Sequence, residues 1–189
     1  MVWFKKKTPL DYILYTAVIL GGIIIDQLSK FLVSNFMEIH DTVPIIKDFF
    51  HITYRTNPGM AFGMMGEADQ RWIFILVSTV AIIGFAIYLY LGHAENKLYA
   101  ISIGMVVSGG LGNMIDRIGI GFYRNAEGMG EVIDFIDFRG IWGAVFNIAD
   151  SFVCVGAGLL ILAAVMDIIK EEKAKRLALK GNDDDSHSK

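Results

Sequence analysis

Four apolar runs, each close to the ~20 residues that a helix needs to cross ~30 Å of hydrocarbon, constrain this chain more than any other feature. They cover about Tyr12 to Phe31, Trp72 to Leu91, Leu98 to about Ile115, and about Val145 to Ile169. In lipid each must be a helix, because a lone strand leaves its backbone groups unpaired. With 54% apolar residues in a chain of 189, a water-soluble domain could not hide its apolar surface. The predicted fold class is an all-α membrane protein with four transmembrane helices. Residues 1–169 form the membrane domain. Residues 170–189 form a charged tail, ending in Asp183-Asp184-Asp185 and neighbouring polar residues, that is expected to be disordered.

The first run follows Lys5-Lys6-Lys7, as the apolar core of a cleavable signal peptide would. Asp26, Gln27 and Lys30 come after it and no small-x-small cleavage site does, so it reads as a span. Basic residues then orient the chain. Lys5 to Lys7, Lys97 and the group Lys170, Lys173, Lys175 and Arg176 fall on one side, taken as cytoplasmic. Both termini are predicted to be inside. Two longer loops, about 33–71 and 117–143, are predicted to be outside. The short link between the second and third runs makes those helices antiparallel neighbours.

The first outer loop is not filler. Phe49 to Thr56 is rich in β-branched and aromatic residues and reads as a strand, followed by a turn at Asn57-Pro58-Gly59. Met60 to Met65 reads as a short half-helix at the interface. The second loop is glycine-rich, with Gly119, Gly121, Gly128 and Gly130, before it tightens into Val132 to Ile136. Gly104, Ser108 and Gly112 recur at four-residue spacing in the third helix, a stripe for close helix packing.

Charge at membrane depth costs several kcal/mol unless paired, neutralised or hydrated. Here it gathers at one level, the outer one. Asp26 lies about fourteen residues into the first run, with Lys30 one turn on, an expected structural ion pair. Asp116 and Arg117 end the third helix, poised between helix-end pairing and support of a site. Asp137 is expected to lie solvated in a loop. Asp150 lies roughly 7 Å below the outer start of the fourth helix, with no basic residue within a turn and Asn147 one turn before it. Asp134 approaches from the loop. Two adjacent carboxyl groups cannot easily both ionise, so one serves as acid and one as base, which suits activation of water against an amide. Asp134 and Asp150 are the candidate pair.

Other chemistry is weaker. The net charge of −3 offers nucleic acid no basic surface. Cys154, the one cysteine, has no histidine near it and is expected to be inert core. No patterned serine accompanies His40 or His51. Glu131, Asp134 and Asp137 lack a specific metal-ligand spacing, so neither metal nor cofactor is expected.

Five blocks carry a resemblance. Asp26-Gln27-Leu28-Ser29-Lys30, Asn57-Pro58-Gly59-Met60-Ala61-Phe62, Gly112 to Arg117, Val132 to Phe135, and Phe146 to Ser151 look like the signature blocks of lipoprotein signal peptidase (signal peptidase II). The match runs in order from the first helix to the fourth. It implies an aspartyl endopeptidase of the bacterial inner membrane that cleaves the signal peptide from diacylglyceryl-modified prolipoproteins. It implies Asp134 and Asp150 as the catalytic dyad, with Asn57, Asn113, Arg117 and Asn147 as supporting polar residues. Asp26, Lys30 and Asp116 would be structural or accessory. A small extracytoplasmic β-containing cradle would cover the site. Partners would be the prolipoprotein signal peptide and membrane lipid, with the enzyme a monomer. Pro58 and the long stretch Tyr123 to Glu127 depart from the family pattern. A transporter, or a metal-dependent phospholipid head-group enzyme, would also use intramembrane carboxylates. The transporter would spread them through the bilayer, and the inner halves of these helices are nearly free of charge.

Overall fold

Capping residues set where the apolar runs become regular. Thr8 begins the first helix, α1 (Pro9–Phe36). Its hydroxyl accepts from the Asp11 N–H and the Asp11 carboxylate accepts from the Thr8 N–H, with Pro9 at the first helical position. The computed structural model that carries these contacts describes residues 7–58, 69–92, 96–141 and 143–187. The expected half-helix at Met60 to Met65 lies outside the described residues. Helix α2 covers Asp69–Tyr90 and α3 covers Lys97–Arg117. Asn96 Oδ1 starts α3 by accepting from the N–H groups of Leu98 and Tyr99 at 2.9 and 3.2 Å. Helix α4 covers Ile148–His187.

Three strands form one antiparallel sheet in the order β1 (Thr42–Ile46), β2 (Phe50–Asn57), β3 (Val132–Phe138). Strands β2 and β3 answer the expected strand and the tight end of the second loop. Strand β1, which contains Pro44, is an addition to the sequence reading. It lies at the sheet's edge, where a missing N–H is tolerated. The sheet sits on the C-terminal ends of α1 and α3, where Val33, Tyr54, Ile133 and Phe135 form one apolar cluster. At the opposite end Tyr12 stacks on Tyr90 with ring centroids 6.1 Å apart, and Thr16 bonds the Tyr90 hydroxyl at 2.7 Å. Helix α3 lies centrally and packs on α1, α2 and α4.

Burial is inverted relative to a water-soluble bundle. The buried stripe of α1 is Tyr15, Ile19, Gly22, Asp26, Lys30 and Val33, at steps of three and four residues. Its outward face keeps Ile24 and Leu28 63% and 54% exposed, while Asp26 and Lys30 are fully buried. Apolar outside and charged inside is the pattern that lipid demands. Among the described residues three helices are long and apolar enough to cross a membrane: Pro9–Phe36, Lys97–Arg117 and Ile148–Arg176. The expected disordered tail instead continues α4 to His187. Its sequence explains this, because Glu171-Glu172-Lys173-Ala174-Lys175-Arg176-Leu177-Ala178-Leu179 consists of strong helix formers, and Glu172 pairs with Arg176 one turn on at 2.5 Å.

The small-residue stripe of α3 works by close approach. A Cβ on Gly112 would stand 2.6 Å from Asp26 Oδ2 and 3.3 Å from the Ala149 methyl group. Gly112→Ala is therefore expected to destabilise the protein by about 1–3 kcal/mol through overpacking. A thermal unfolding scan in detergent reads this as a lowered midpoint. An unchanged midpoint would mean that the three helices separate there at no cost.

Candidate active site

The polar residues predicted from sequence converge between α1, α3, β3 and the start of α4. Lys30 sits fully buried with its ammonium against three side-chain oxygens, hydrogen-bonded to the first and last and ion-paired with the second. They are Asp26 Oδ2 at 2.8 Å, Asp116 Oδ2 at 2.7 Å and Asn113 Oδ1 at 3.0 Å. Asp26 pairs with Lys30 as expected. Asp116 pairs with it too, across two helices. Asp26 Oδ1 also accepts from the backbone N–H of Ala149 at 2.9 Å, so a carboxylate of α1 holds the unpaired N-terminus of α4. Gln27, to which the sequence assigns no role, links the same helices by donating to Asp116 Oδ1 and to the Gly112 carbonyl. Its place in the first motif block is the only sequence signal for it.

Asn147 is the hinge of the arrangement. Its Oδ1 accepts from the Asp150 N–H at 2.9 Å, and Asp150 Oδ2 accepts from the Asn147 N–H at 3.2 Å. This reciprocal box starts α4 and fixes the first turn that carries Asp150. The Asn147 amide then donates to Asp134 Oδ1 at 2.7 Å and to Asn113 Oδ1 at 3.1 Å. Asn113 Nδ2 donates to Asp150 Oδ1 at 2.7 Å, and Asn57 Nδ2 donates to Asp134 Oδ2 at 3.2 Å. Each carboxyl group thus receives a donor on both oxygens. Asn147 touches both groups, and Arg117, half-buried, ends α3 beside Asp116.

Asp134 is 4% exposed on β3. Burial first, and the charge of Asp150 second, push it up to about 7 against the opposing hydrogen bonds of Asn57 and Asn147. This arrangement can hold one proton near neutral pH beside a second carboxyl group, which is what paired acid and base chemistry needs.

Two expectations are corrected. Asp137 is not in a solvated loop. It lies in β3, 9% exposed, and accepts from the Thr53 hydroxyl at 2.7 Å and Arg139 Nε at 3.2 Å. Burial raises its pKa, but the hydrogen bonds of Thr53 and Arg139 and the charges of Arg139 and His51 together hold it below the usual carboxylate value. Cys154 is not core. It faces outward from α4, away from the packed stripe.

With the geometry in place, comparison with known proteins is decisive. Residues 18–166 match the family model described as signal peptidase (SPase) II. The chain belongs to the signal peptidase II family. A lipoprotein signal peptidase of Halothermothrix orenii is 43% identical over 145 residues, which covers 77% of this chain and 90% of that one. One from Geobacter sulfurreducens is 36% identical over 167 residues, covering 87% and 96%. A solved structure, described as a bacterial membrane enzyme determined by the in meso method at 1.9 Å, superposes with a TM-score of 0.70. It is 28% identical and covers 88% of this chain and 99% of its own. This signal peptidase II is thus a membrane peptidase whose apolar helices carry a buried polar site at the sheet end.

Proposed function

We propose that this signal peptidase II cleaves the signal peptide from diacylglyceryl-modified prolipoproteins, with water activated between Asp134 and Asp150. The observation that carries this reading is the pair of carboxyl groups joined through Asn147, each with donors on both oxygens. Asp134 holds the proton and Asp150 acts as the base. Asp150 takes a proton from water as the water oxygen bonds to the scissile carbonyl carbon, and Asp134 gives its proton to the carbonyl oxygen. The tetrahedral adduct then returns a hydroxyl proton to Asp134. The carbon–nitrogen bond breaks, and Asp150 delivers its proton to the leaving amine of the lipidated cysteine. Asn57, Asn113 and Asn147 hold the two groups in place. The acyl chains stay in lipid and fix the height of the scissile bond, an orientation effect.

The test is a cleavage assay with purified protein, a diacylated prolipoprotein and an unlipidated control. Cleavage of the diacylated substrate alone supports the reading, and equal cleavage of both removes the lipid from recognition. The same assay across pH is expected to give a bell. The alkaline limb falls through about 7, because the raised value of Asp134 means that its proton is lost there. The acid limb falls as the pair gains its second proton. A rate that climbs steadily to pH 9 would contradict a proton held on Asp134.

In the membrane, α2 is the fourth span, since its 22 residues reach about 33 Å. Both termini and the α2–α3 link lie in the cytoplasm of a bacterial inner membrane, and the sheet and both long loops lie outside it. The enzyme works as a monomer, as a domain of residues 1–169 with a cytoplasmic helical tail. Asn125→Cys should react with an impermeant thiol reagent added outside intact cells. Protection at 125, with labelling of a tail cysteine instead, would reverse this topology.

A further inference from the structure

We propose that Ile118, Ile120 and Phe122 form a lipid-seated ridge. Their side chains enter the acyl-chain region of the outer leaflet, and this seat fixes the height of Asp134 and Asp150 for a lipid-anchored scissile bond. The second part rests on the topology and the reacting pair already proposed. Helix α3, at 21 residues, spans about 31 Å, so a chain that simply continued would leave the hydrocarbon. It folds back instead. The Ile118 N–H donates to the Met114 carbonyl at 3.0 Å and the Gly119 N–H to the Asp116 carbonyl at 2.9 Å. The N–H groups of Ile120 and Gly121 both donate to the Ile115 carbonyl, at 3.0 and 3.2 Å. Arg124 donates to the Gly119 carbonyl. Four successive peptide N–H groups thus find acceptors inside the protein, as backbone at the edge of hydrocarbon must.

The side chains sort by neighbour. Gly119 is buried and Gly121 half-buried, and a Cβ on Gly121 would overlap the Asp116 carboxylate. The alternate residues Ile118, Ile120 and Phe122 turn the other way and are 51%, 71% and 47% exposed. What adjoins this apolar face identifies its occupant. The Phe122 ring meets the Phe31 ring edge-on, with centroids 5.4 Å apart. Phe31 belongs to the outward apolar face of α1, after Ile24 and Leu28 at steps of four and three, the face that lipid covers. Phe31 also follows Lys30, whose ammonium pairs with Asp116. The ridge therefore lies beside the buried ion cluster and carries the lipid-facing surface around the end of α3. Asn113, one turn before that end, donates to Asp150 at 2.7 Å, so the depth at which α3 ends sets the depth of the pair. The acyl chains of the substrate lie in the same leaflet, and the ridge and the substrate then share one reference level.

Two measurements test this. Ile120→Trp, in protein that also carries Trp3→Phe, Trp72→Phe and Trp142→Phe, reports the surroundings of the ridge in phosphatidylcholine vesicles. Its indole should be quenched by lipids brominated on their acyl chains and hardly by acrylamide in the water. Quenching by acrylamide instead would put the ridge in water, and quenching by neither would mean that a protein surface covers it. Either result overturns the proposal. For function, Ile118→Ser/Ile120→Ser is compared with wild type on the diacylated substrate, in detergent and in bilayers with chains of about 14 to 22 carbons. In detergent the rates should agree within about twofold, since both side chains are exposed and neither touches the reacting pair. In bilayers the wild-type rate should peak at one chain length, and the variant should lose about fivefold or more there and give a flatter profile. Equal profiles in bilayers, or a matching loss in detergent, would overturn the role of the ridge in setting height. Failure of the wild type to cleave the diacylated substrate would instead remove the reading of the pair, and the indole would still decide the lipid seat.

Discussion

Asp134→Asn and Asp150→Asn should each lower the cleavage rate at least about a thousandfold, and the double variant should be little worse than either. In the proposed mechanism each group carries its own proton transfers of one cycle, so removal of either stops that cycle. Both variants also carry a cost to the fold. In Asp134→Asn the two terminal atoms of the new amide face the Asn147 and Asn57 NH2 groups, both donors. In Asp150→Asn they face the Asn147 peptide N–H and the Asn113 NH2 group, again both donors. One donor must then meet another, at a cost of about 1–3 kcal/mol. Each variant should therefore unfold at lower temperature than the wild type, with both still folded. Asp137→Asn and Asp167→Asn are the controls. Asp137 is held by Thr53 and Arg139, and Asp167 by Lys170 at 3.0 Å. Both should keep activity within about tenfold. Substantial cleavage by Asp150→Asn at normal abundance would remove the two-carboxyl mechanism.

The membrane class of the chain is legible because it depends on run length, which is a property of contiguous residues. The described starts and ends then shift by capping chemistry that the runs do not reveal. Thr8 and Asp11 draw α1 back to Pro9, and Asn147 with Asp150 delays α4 to Ile148. Adjacency in sequence is a poorer guide to charge pairing. Asp116 stands beside Arg117 in the chain, yet its pairing with Lys30 joins residues 86 positions apart, and only the packing of α1 on α3 creates it. Asp137 escapes the sequence reading because the apolar pattern of its strand ends at Ile136. With the strand extended, strict alternation sets Asp137 on the face opposite Asp134, three residues away. Cys154 fails by helical geometry. The buried positions Ala149, Gly156 and Ala163 form one stripe at seven-residue steps, and Cys154 is turned from Ala149 by about 140°.

Lys30→Ala is the substitution with the largest expected effect on stability, about 3–5 kcal/mol. Its single ammonium is the shared counter-charge of Asp26 and Asp116 in a site where neither carboxyl group reaches water, since both are fully buried. Removal leaves two like charges together, and each must either stay ionised without a partner or take up a proton. The loss spreads beyond the pair. Asp26 Oδ1 holds the Ala149 N–H at the start of α4, and Gln27 joins Asp116 to the Gly112 carbonyl of α3. A disturbed Asp26 therefore loosens α1 from both its neighbours. The charge-free set Asp26→Asn/Lys30→Met/Asp116→Asn should recover most of the loss, because buried ion groups are often replaced by neutral residues of similar size at little cost. The amide that Asp26→Asn introduces can still accept from the Ala149 N–H with its oxygen. Unfolding in detergent, followed by far-ultraviolet circular dichroism, compares the three proteins. The expected order is wild type and the charge-free variant close together, with Lys30→Ala well below. A charge-free variant as unstable as Lys30→Ala would mean that the ion cluster supplies net stability in its own right, and that neutral packing cannot replace it.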